Sequence, residues 1–363
     1  MSTIFLTGAT GLIGGGVLQR MLPLNPAMHA YVLVRDLQRW RAVPARLGLP
    51  ADRVTPVLGD VRAPGLGLEP QVHAHVGASV SAVLHFAADT TFSLPLPQAR
   101  AINVEGTRHL LELAEAWPHV ERFVYASTAF VAGRRVGRIL EGDDDHDAGW
   151  VNPYEQCKHE AEALVRAGGR EWVIFRPSTV VCDSASGLVR QFNVVHRALR
   201  LYHHGLASML PGEEGSPLDT VPDDYVNDAI ARLALHEDMA GQTLHLCAGD
   251  GAVPLGEMLD LTWGIWAGVP AWRRRGVPRP AITDLATYRL FEQSVEEAGD
   301  ARLRQVMQSL SHITPQLAYP KHFDTTIADA AVGAPAPPVR SYWPRMIEHL
   351  LQSNWAATVR AEA

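Results

Sequence analysis

The sequence has few cysteines, no excess of basic residues and no long apolar run. Its three cysteines, Cys157, Cys182 and Cys247, are widely spaced, so they indicate neither a disulfide framework nor a zinc site. The formal net charge of -7 argues against a nucleic-acid-binding protein. No apolar stretch approaches the ~18 residues of a membrane span, and the N-terminus lacks a secretion signal. We therefore expect a cytoplasmic protein without a transmembrane segment.

The composition and the order of apolar patterns indicate a globular α/β protein. The 363 residues are 47% hydrophobic and 20% charged, which is ordinary for folded domains. Strand-like runs alternate with helical patterns, which predicts a doubly wound parallel sheet. We expect residues 1–177 to form a nucleotide-binding domain that is completed by about 219–247. Residues 178–218 and 248–363 then form a smaller, mostly helical substrate-binding region.

A glycine-rich turn follows the first predicted strand. Residues 7–16, TGATGLIGGG, lie between the apolar run 4–6 and a helical pattern. Gly8 permits a tight turn, Gly11 lets the backbone approach a pyrophosphate, and Gly14 lets the helix pack against the strand. The N–H groups at the start of that helix face the phosphates. An ordinary loop is the alternative, but the position between strand and helix favours dinucleotide binding. The predicted cofactor contacts here are Gly8, Thr10, Gly11, Leu12, Ile13 and Gly14.

The end of the second predicted strand, Ala30–Val34, bears on the choice of cofactor. An acidic residue at this point usually binds the ribose hydroxyls of NAD, whereas a basic residue accommodates the 2′-phosphate of NADP. Arg35 comes first, with Arg39 and Arg41 after it, so the sequence favours NADPH over NADH. Asp36 keeps NADH open, and a solvated basic helix end is the other interpretation of Arg35.

The next two predicted strands also end in candidate cofactor contacts. After the third strand, the carboxylate of Asp60, with Val61 beside it, can receive the adenine amino group, or Asp60 is a turn residue. After the fourth strand, Ala87 and Ala88 are small enough to leave room for the nicotinamide ribose, or they only pack. Both strand ends therefore have a binding and a structural interpretation.

A catalytic set is predicted at the fifth strand and the helix that follows. Arg122–Ala126 delivers Thr128 to the carboxyl end of the sheet, where open α/β sheets bind their ligands. Asn152-Pro153 is a typical helix start, so Tyr154 and Lys158 lie four residues apart on one helical face. A nearby ammonium lowers the pKa of a tyrosine, which is about 10 when unperturbed. We predict that Thr128, Tyr154 and Lys158 are catalytic and that Lys158 also holds the nicotinamide ribose.

Three further features of the sequence bear on the predicted site. Pro177 closes the sixth strand and suits an exit loop over the cofactor. The acidic loop 141–147 has no ligand-like spacing, so we expect a solvated surface. His203 and His204 have no third potential metal ligand near them in sequence, so they are more typical of surface or packing residues. We predict no metal site.

In the order of these motifs the chain resembles the extended short-chain dehydrogenase/reductase family, whose nucleotide-binding domain is a Rossmann fold. The matching segments are TGATGLIGG, HFAADTTF, INVEGTRHLLELA, YASTAF, YEQCKHEAE and FRPSTVV. More narrowly, VRD after the second strand, Ser127-Thr128-Ala129, residues 221–226 (VPDDYV) and residues 323–325 (FDT) are similar to the branch of fatty acyl-CoA reductases and thioester reductase domains. By this resemblance Thr128, Tyr154 and Lys158 occupy the catalytic positions.

The resemblance implies an NADPH-dependent reductase that converts an acyl thioester, on coenzyme A or an acyl carrier protein, either to an aldehyde or, through the aldehyde, to an alcohol. One alternative is an extended-family enzyme acting on a ketone, a sterol-like alcohol or a sugar nucleotide. Another is an NADP-sensing protein without catalysis. Arg273–Arg275 would meet the coenzyme A phosphates or an acidic carrier, or form a solvated turn. The tryptophans of the C-terminal region favour a core role over an acyl pocket: Trp263, Trp266, Trp272, Trp343 and Trp355.

We also predict single helices over residues 97–117, 187–206 and 343–359.

Overall fold

A computed structural model describes residues 2–299, 301, 304, 307, 308, 311 and 314–356. Its strands are β1 (Thr3–Thr7), β2 (His29–Val34), β3 (Val54–Leu58), β4 (Ala82–His85), β5 (Arg122–Ala126), β6 (Gly137–Ile139), β7 (Glu171–Pro177), β8 (Thr179–Val180), β9 (Met209–Pro211), β10 (Pro217–Leu218), β11 (Thr220–Val221), β12 (Gln242–Leu246), β13 (Val253–Pro254), β14 (Ala281–Thr283) and β15 (Lys321–Phe323).

The helices alternate with these strands through the first half of the chain. They are α1 (Leu12–Leu24), α2 (Leu37–Trp40), α3 (Val43–Leu47), α4 (Pro70–Gly77), α5 (Leu96–Asn103), α6 (Glu105–Ala116), α7 (Pro153–Ala167), α8 (Val194–His203), α9 (Asp223–Leu233), α10 (Leu255–Ala267), α11 (Pro270–Arg273), α12 (Leu285–Ala298), α13 (Thr326–Val332) and α14 (Val339–Gln352). No helix among the described residues is long and apolar enough to cross a membrane.

Seven parallel strands form the central sheet in the order β12-β7-β5-β4-β1-β2-β3, which confirms the doubly wound α/β fold. Side chains alternate between the two faces of a strand. Ile4 and Leu6 of β1 join a core that contains Val17 of α1, whereas Phe5 joins a second core that contains Leu110 of α6. Helices therefore cover both faces, and the carboxyl ends of the strands meet at one edge.

Residues 219–247 add to this sheet. β12 pairs with β7, and α9 packs against α1 at Gly16, where a Cβ atom would lie within 3.0 Å of all three side-chain atoms Cγ, Oδ1 and Nδ2 of Asn227. The assignment of 178–218 and 248–363 to substrate binding stays a prediction. Within it, residues 300, 302–303, 305–306, 309–310, 312–313 and 357–363 lie outside the described residues.

Short strand pairs bring the C-terminal part of the chain back to the sheet's carboxyl edge. β15 pairs in parallel with β6, so that Lys321 lies opposite Gly137 and Phe323 opposite Ile139. β9 pairs with β14, and β10 pairs with β13. Segments from the second half of the chain thus cover the carboxyl ends of the sheet strands.

Three predicted helices differ in the structure. The helix expected over 97–117 is divided into α5 and α6 at Val104 (φ -100°, ψ -58°). Val104 is β-branched and Gly106 follows two residues later, and both residue types have a low helix propensity. The helix expected over 187–206 begins only at Val194, because Asn193 caps it by accepting from the N–H groups of Val195 and His196. The closing helix, expected over 343–359, differs as well: it spans Val339–Gln352, residues 353–356 are not helical, and residues 357–359 lie outside the described residues.

Candidate active site

A cleft of about 660 Å³ opens at the carboxyl ends of the sheet strands. It is lined by the glycine turn, by the loop after β4, by Thr128 and Tyr154, and by the segments after β7. The structure therefore brings the predicted phosphate-binding turn and two of the three predicted catalytic residues to one cavity. The predicted site residues that line it are Gly8, Gly11, Leu12, Ile13, Gly14, Ala88, Thr128 and Tyr154.

The turn itself is shaped for close approach of a ligand. Gly8 has φ +79°, and a Cβ atom there would lie 2.7 Å from the backbone nitrogen of Ala87. A Cβ atom at Gly14 would lie 2.7 Å from the carbonyl carbon of Gly8. The N–H of Gly11 donates to the oxygen of Gly8 at 2.9 Å, and α1 starts at the next residue. This glycine cradle ends in the N–H groups of a helix N-terminus, which fits a dinucleotide pyrophosphate.

A buried hydrogen-bond chain supports the strand ends below the cleft. The N–H of Ala87 donates to Oγ1 of Thr7, and this hydroxyl lies 2.8 Å from Nδ1 of His85. Nε2 of His85 then donates to Oγ1 of Thr107 (3.1 Å), which donates to the oxygen of Asn103. Burial, with the nearby Lys158 charge, lowers the pKa of His85 to about 3. Because the Thr107 hydroxyl directs its proton to Asn103, the neutral His85 ring carries its proton on Nε2, and its Nδ1 accepts from the Thr7 hydroxyl.

Thr128 caps the turn after β5. Its Oγ1 accepts from the N–H of Phe130 at 3.3 Å and lies 3.5 Å from the carbonyl oxygen of Pro177. Pro177 is itself the last residue of β7, where it pairs with Leu246, and it does not line the cleft. These contacts place the Thr128 hydroxyl at the junction of two central strands.

The amino end of α7 carries Tyr154 into the cleft. Asn152 caps this helix by accepting from the N–H of Glu155 at 3.0 Å. The Tyr154 ring packs 5.5 Å from that of Phe92. One turn later, Nζ of Lys158 donates to the carbonyl oxygen of Ala126 at 2.5 Å. The helix start predicted at Asn152-Pro153 is therefore present, and α7 carries both Tyr154 and Lys158.

The expected effect of Lys158 on Tyr154 is wrong for this structure. Burial and the Glu155 carboxylate raise the pKa of Tyr154 above its ordinary value. Lys158 lies under the Tyr125 ring, 4.0 Å from its centroid, and burial lowers the pKa of Lys158 to about 7. A raised tyrosine pKa keeps the phenol protonated at neutral pH, which suits a proton donor.

The predicted contacts of the adenosine end lie at a second cavity, of about 900 Å³, near β2 and β3. Arg35 is exposed there beside Asp60. The Asp36 carboxylate accepts from the N–H groups of Gln38 (2.7 Å) and Arg39 (3.2 Å). Because Asp36 is occupied as a helix cap, this arrangement favours the Arg35 interpretation and hence NADPH.

Asp60 and the other predicted contacts have structural partners. Both carboxylate oxygens of Asp60 accept from Arg62, whose hydrogen bond lowers the pKa of Asp60; this matches the turn interpretation. The carbonyl of Val61 lies 2.9 Å from Nδ1 of His109. Thr10 is exposed at the tip of the turn. These three residues do not line the cleft.

The expectation that loop 141–147 is a solvated surface is wrong for Glu141, whereas Asp144, Asp145 and Asp147 are exposed as expected. Glu141 is buried, and its carboxylate accepts from the N–H groups of His245 (2.8 Å), Ile327 (2.6 Å) and Ala328 (3.0 Å). Asp144 pairs with Arg166 at 2.7 Å. The loop therefore joins β12 and α13 to the body of the fold.

The C-terminal tryptophans are mainly core residues, as favoured from the sequence. Trp266, Trp272, Trp343 and Trp355 are at most 7% exposed, and they do not line the cleft. Arg273–Arg275 is exposed. The apolar part of the cleft wall consists instead of smaller groups from several elements: Phe92, Phe130, Phe192, Val194, Val195, Leu218, Leu255, Leu317 and Phe323.

The polar residues that line the cleft and that sequence reasoning missed include Glu155, Gln316 and Lys321. A signal for one of them was present in the sequence. Of the 32 lysine and arginine residues, only two are lysines, Lys158 and Lys321. The chain therefore has a lysine at the predicted catalytic position 158 and at position 321, which lines the cleft.

The sheet order, the glycine cradle and the Thr128, Tyr154, Lys158 arrangement define an NAD(P)-dependent oxidoreductase of the extended short-chain dehydrogenase/reductase type. The family model described as Male sterility protein matches residues 6–230. This is more than half of the chain, and the protein therefore belongs to that NAD-binding family.

Individual relatives include a fatty acyl-CoA reductase and a synthase reductase domain, which is the branch that the sequence resembles. A putative fatty acyl-CoA reductase of Drosophila melanogaster is 27% identical over 270 residues, covering 61% of this chain and 50% of the relative. The terminal R domain from the myxalamid PKS-NRPS biosynthetic pathway is 26% identical with a TM-score of 0.78, covering 98% of this chain and 92% of that chain. A thiolation-reductase di-domain from an archaeal non-ribosomal peptide synthetase shares the fold, at 16% identity and a TM-score of 0.72, covering 98% and 76%.

The chain spans half or less of the length of the curated relatives that it matches first.

Proposed function

We propose that this protein is an NADPH-dependent reductase that converts an acyl thioester to an aldehyde and, by a second reduction, to an alcohol. The observation that supports this most is the single cleft, in which the glycine cradle faces Thr128 and Tyr154. Similarity to a fatty acyl-CoA reductase and to a synthase R domain indicates the substrate class.

The chain's own residues would hold the cofactor along the strand ends. The turn from Gly8 to Gly14 binds the pyrophosphate, Lys158 holds the nicotinamide ribose, and Arg35 pairs with the 2′-phosphate. When bound, NADPH supplies the hydride. Ala88 lines the cleft from the loop after β4, and Pro177 is the last residue of β7.

Thr128 and Tyr154 act on the thioester carbonyl. Their hydroxyls donate hydrogen bonds to its oxygen as negative charge develops there. The phenolic proton of Tyr154 moves to that oxygen, which leaves a hemithioacetal. Its C–S bond then breaks, its hydroxyl proton is lost to the departing thiolate, and an aldehyde and a free thiol result.

The thiol carrier is either coenzyme A or an acyl carrier protein. The thiolation-reductase neighbour supports a carrier protein, and the exposed Arg273–Arg275 run suits an anionic carrier of either kind. We assign residues 178–218 and 248–363 to substrate binding. A reducing, cytoplasmic location also belongs to this proposal, and the three free, buried cysteines are consistent with it.

A substrate panel tests the proposal. The protein is incubated with NADPH and, separately, with acyl-CoA, acyl-carrier, ketone and sugar-nucleotide substrates, while cofactor oxidation and free thiol are measured. We expect one thiol for each aldehyde formed. Clear oxidation of NADPH by a ketone or sugar nucleotide, without turnover of any thioester, would assign the protein to another extended-family activity.

A further inference from the structure

One corner of the cleft is polar and comes from residues far from the catalytic motifs in sequence. Gln316 belongs to the 3-10 helix Thr314–Ala318, and Lys321 is the first residue of β15. Both line the cleft together with Glu155, the neighbour of Tyr154. The pairing of β15 with β6 holds Lys321 in place.

Lys321 has unused hydrogen-bonding capacity. It is 5% exposed, and its Nζ donates to the carbonyl oxygen of Tyr319 at 2.9 Å. An ammonium has three N–H donors, and no second hydrogen bond or ion pair of this group is found within the described part of the chain. Leaving such donors buried and unpaired is costly, so a ligand oxygen at this position would be favoured.

Gln316 independently indicates a polar ligand. Both Nε2 and Oε1 of its side chain are shielded from solvent, and neither has a hydrogen-bond partner among the residues that the structure describes. Most buried side-chain polar atoms in proteins are paired. Gln316 therefore carries an unpaired donor and an unpaired acceptor at the wall of the cleft.

The charge balance restricts the chemistry of that ligand. The Glu155 carboxylate accepts from the N–H of Val151 (3.0 Å) and from Nδ2 of Asn152 (2.8 Å). Burial lowers the pKa of Lys321, while the charge of Glu155 opposes that change. Because the lysine charge is offset by Glu155, the corner favours a neutral oxygen over a carboxylate or phosphate.

The choice of lysine is also informative. Of the 32 lysine and arginine residues, all except Lys158 and Lys321 are arginines. An ammonium is a compact donor with rotatable N–H groups, whereas a guanidinium is a wide planar fork. Lysine at position 321 therefore suits a single oxygen atom in a confined site.

We propose that Lys321 and Gln316 form an oxygen-binding subsite that recognises a neutral carbonyl, amide or hydroxyl oxygen close to the reacting thioester. This inference rests on the proposed thioester reduction. Two parts of a substrate carry such an oxygen, namely an oxygenated or peptidyl acyl group and the pantetheine arm of the thiol carrier. The subsite would thus set substrate preference without taking part in proton or hydride transfer.

Four thioesters test the subsite. Octanoyl and 3-oxooctanoyl groups are each presented as a pantetheine thioester and as a simple S-ethyl thioester. We compare kcat/KM for the wild type, Lys321→Met and Gln316→Leu. Both variants should lose roughly 10- to 100-fold on substrates with the recognised oxygen and under threefold on the matched substrates without it. Gln308→Leu is the control, since Gln308 lines the same cleft but is exposed.

The pattern of losses separates the possible results. A loss that follows the 3-oxo group identifies the acyl side, and one that follows pantetheine identifies the carrier arm; either supports the subsite. Equal losses on all four thioesters, or no loss, with NADPH affinity unchanged, would overturn it. A wild-type protein that reduces none of the four contradicts the proposed function itself and, with it, the subsite.

Discussion

Glu162 and Arg176 form a buried ion pair that joins α7 to β7. Nε of Arg176 lies 2.9 Å from Oε1 of Glu162, and Nη2 lies 2.6 Å from Oε2. Burial opposes ionisation, but the charges of Arg176 and Arg166 and the hydrogen bonds from Arg176 hold the pKa of Glu162 at about 2. The pair fixes the helix that carries Tyr154 against the strand that ends beside Thr128.

Removal of one partner should therefore be costly. Glu162→Ala removes the bidentate partner of the buried Arg176 and leaves only the more distant Asp144, at 3.7 Å, so we expect the free energy of unfolding to fall by about 3–5 kcal/mol in chemical denaturation. The pKa of Glu162 is lower in the folded than in the unfolded state, so its stabilising effect is present above about pH 4.5 and is lost towards pH 2. The double variant Glu162→Leu with Arg176→Met should lose much less. Equal losses in the single and double variants would contradict this account.

Cofactor choice should depend on Arg35. A charge-assisted contact with the 2′-phosphate, absent for NADH, favours NADPH by about 1.5–3 kcal/mol, which is roughly ten- to a hundredfold. Arg35→Ala should remove most of this preference in equilibrium binding. Arg39→Ala is the matched control, because its side chain is 88% exposed and lies 3.6 Å from Asp36. Equal affinity of the wild type for both cofactors would exclude this role for Arg35.

The glycine turn should tolerate no side chain at position 14. In Gly14→Ala the new methyl group would meet the Gly8 carbonyl, so we expect NADPH affinity to fall at least about tenfold or the fold to be destabilised by about 1–3 kcal/mol. Gly142→Ala provides the comparison, since no heavy atom lies within 4 Å of a Cβ there. Identical NADPH affinity and melting temperature in the two variants would disprove the steric argument.

The pH profile should report Lys158. Its pKa, about 7 in the folded protein, means that the ammonium loses its proton above that pH. We expect kcat/KM for NADPH, which reflects the free enzyme, to decline above about pH 7. In Lys158→Arg this decline should disappear, since a guanidinium stays charged. A wild-type profile that is flat to pH 9 would rule out a requirement for the Lys158 charge.

The sequence was sufficient for the sheet and for the central part of the site. Period-two and helical patterns located β1 to β5, and the order of the glycine turn, Thr128, Tyr154 and Lys158 indicated which strand ends meet. These features are local, because each depends on residues within one strand, turn or helix.

The remaining features depend on contacts between distant segments. Lys321 reaches the cleft through β15, a three-residue strand that pairs with β6 about 180 positions earlier and has no pattern of its own, and Gln316 belongs to the short 3-10 helix before it. Glu141 was misjudged because the N–H groups that it binds belong to β12 and α13. The pKa of Tyr154 was misjudged because burial of the phenol and the Glu155 charge raise it. Only the folded structure reveals these relationships.

Transfer of deuterium from NADPH labelled at both C4 positions tests the central claim most directly. With a medium-chain acyl thioester, the account predicts an aldehyde with one deuterium at C1, or an alcohol with two, together with one equivalent of free thiol by mass spectrometry. Tyr154→Phe should lower this turnover by about 10²–10⁴-fold with NADPH affinity nearly unchanged. Unlabelled product, no thiol release, or full turnover by Tyr154→Phe would contradict the account.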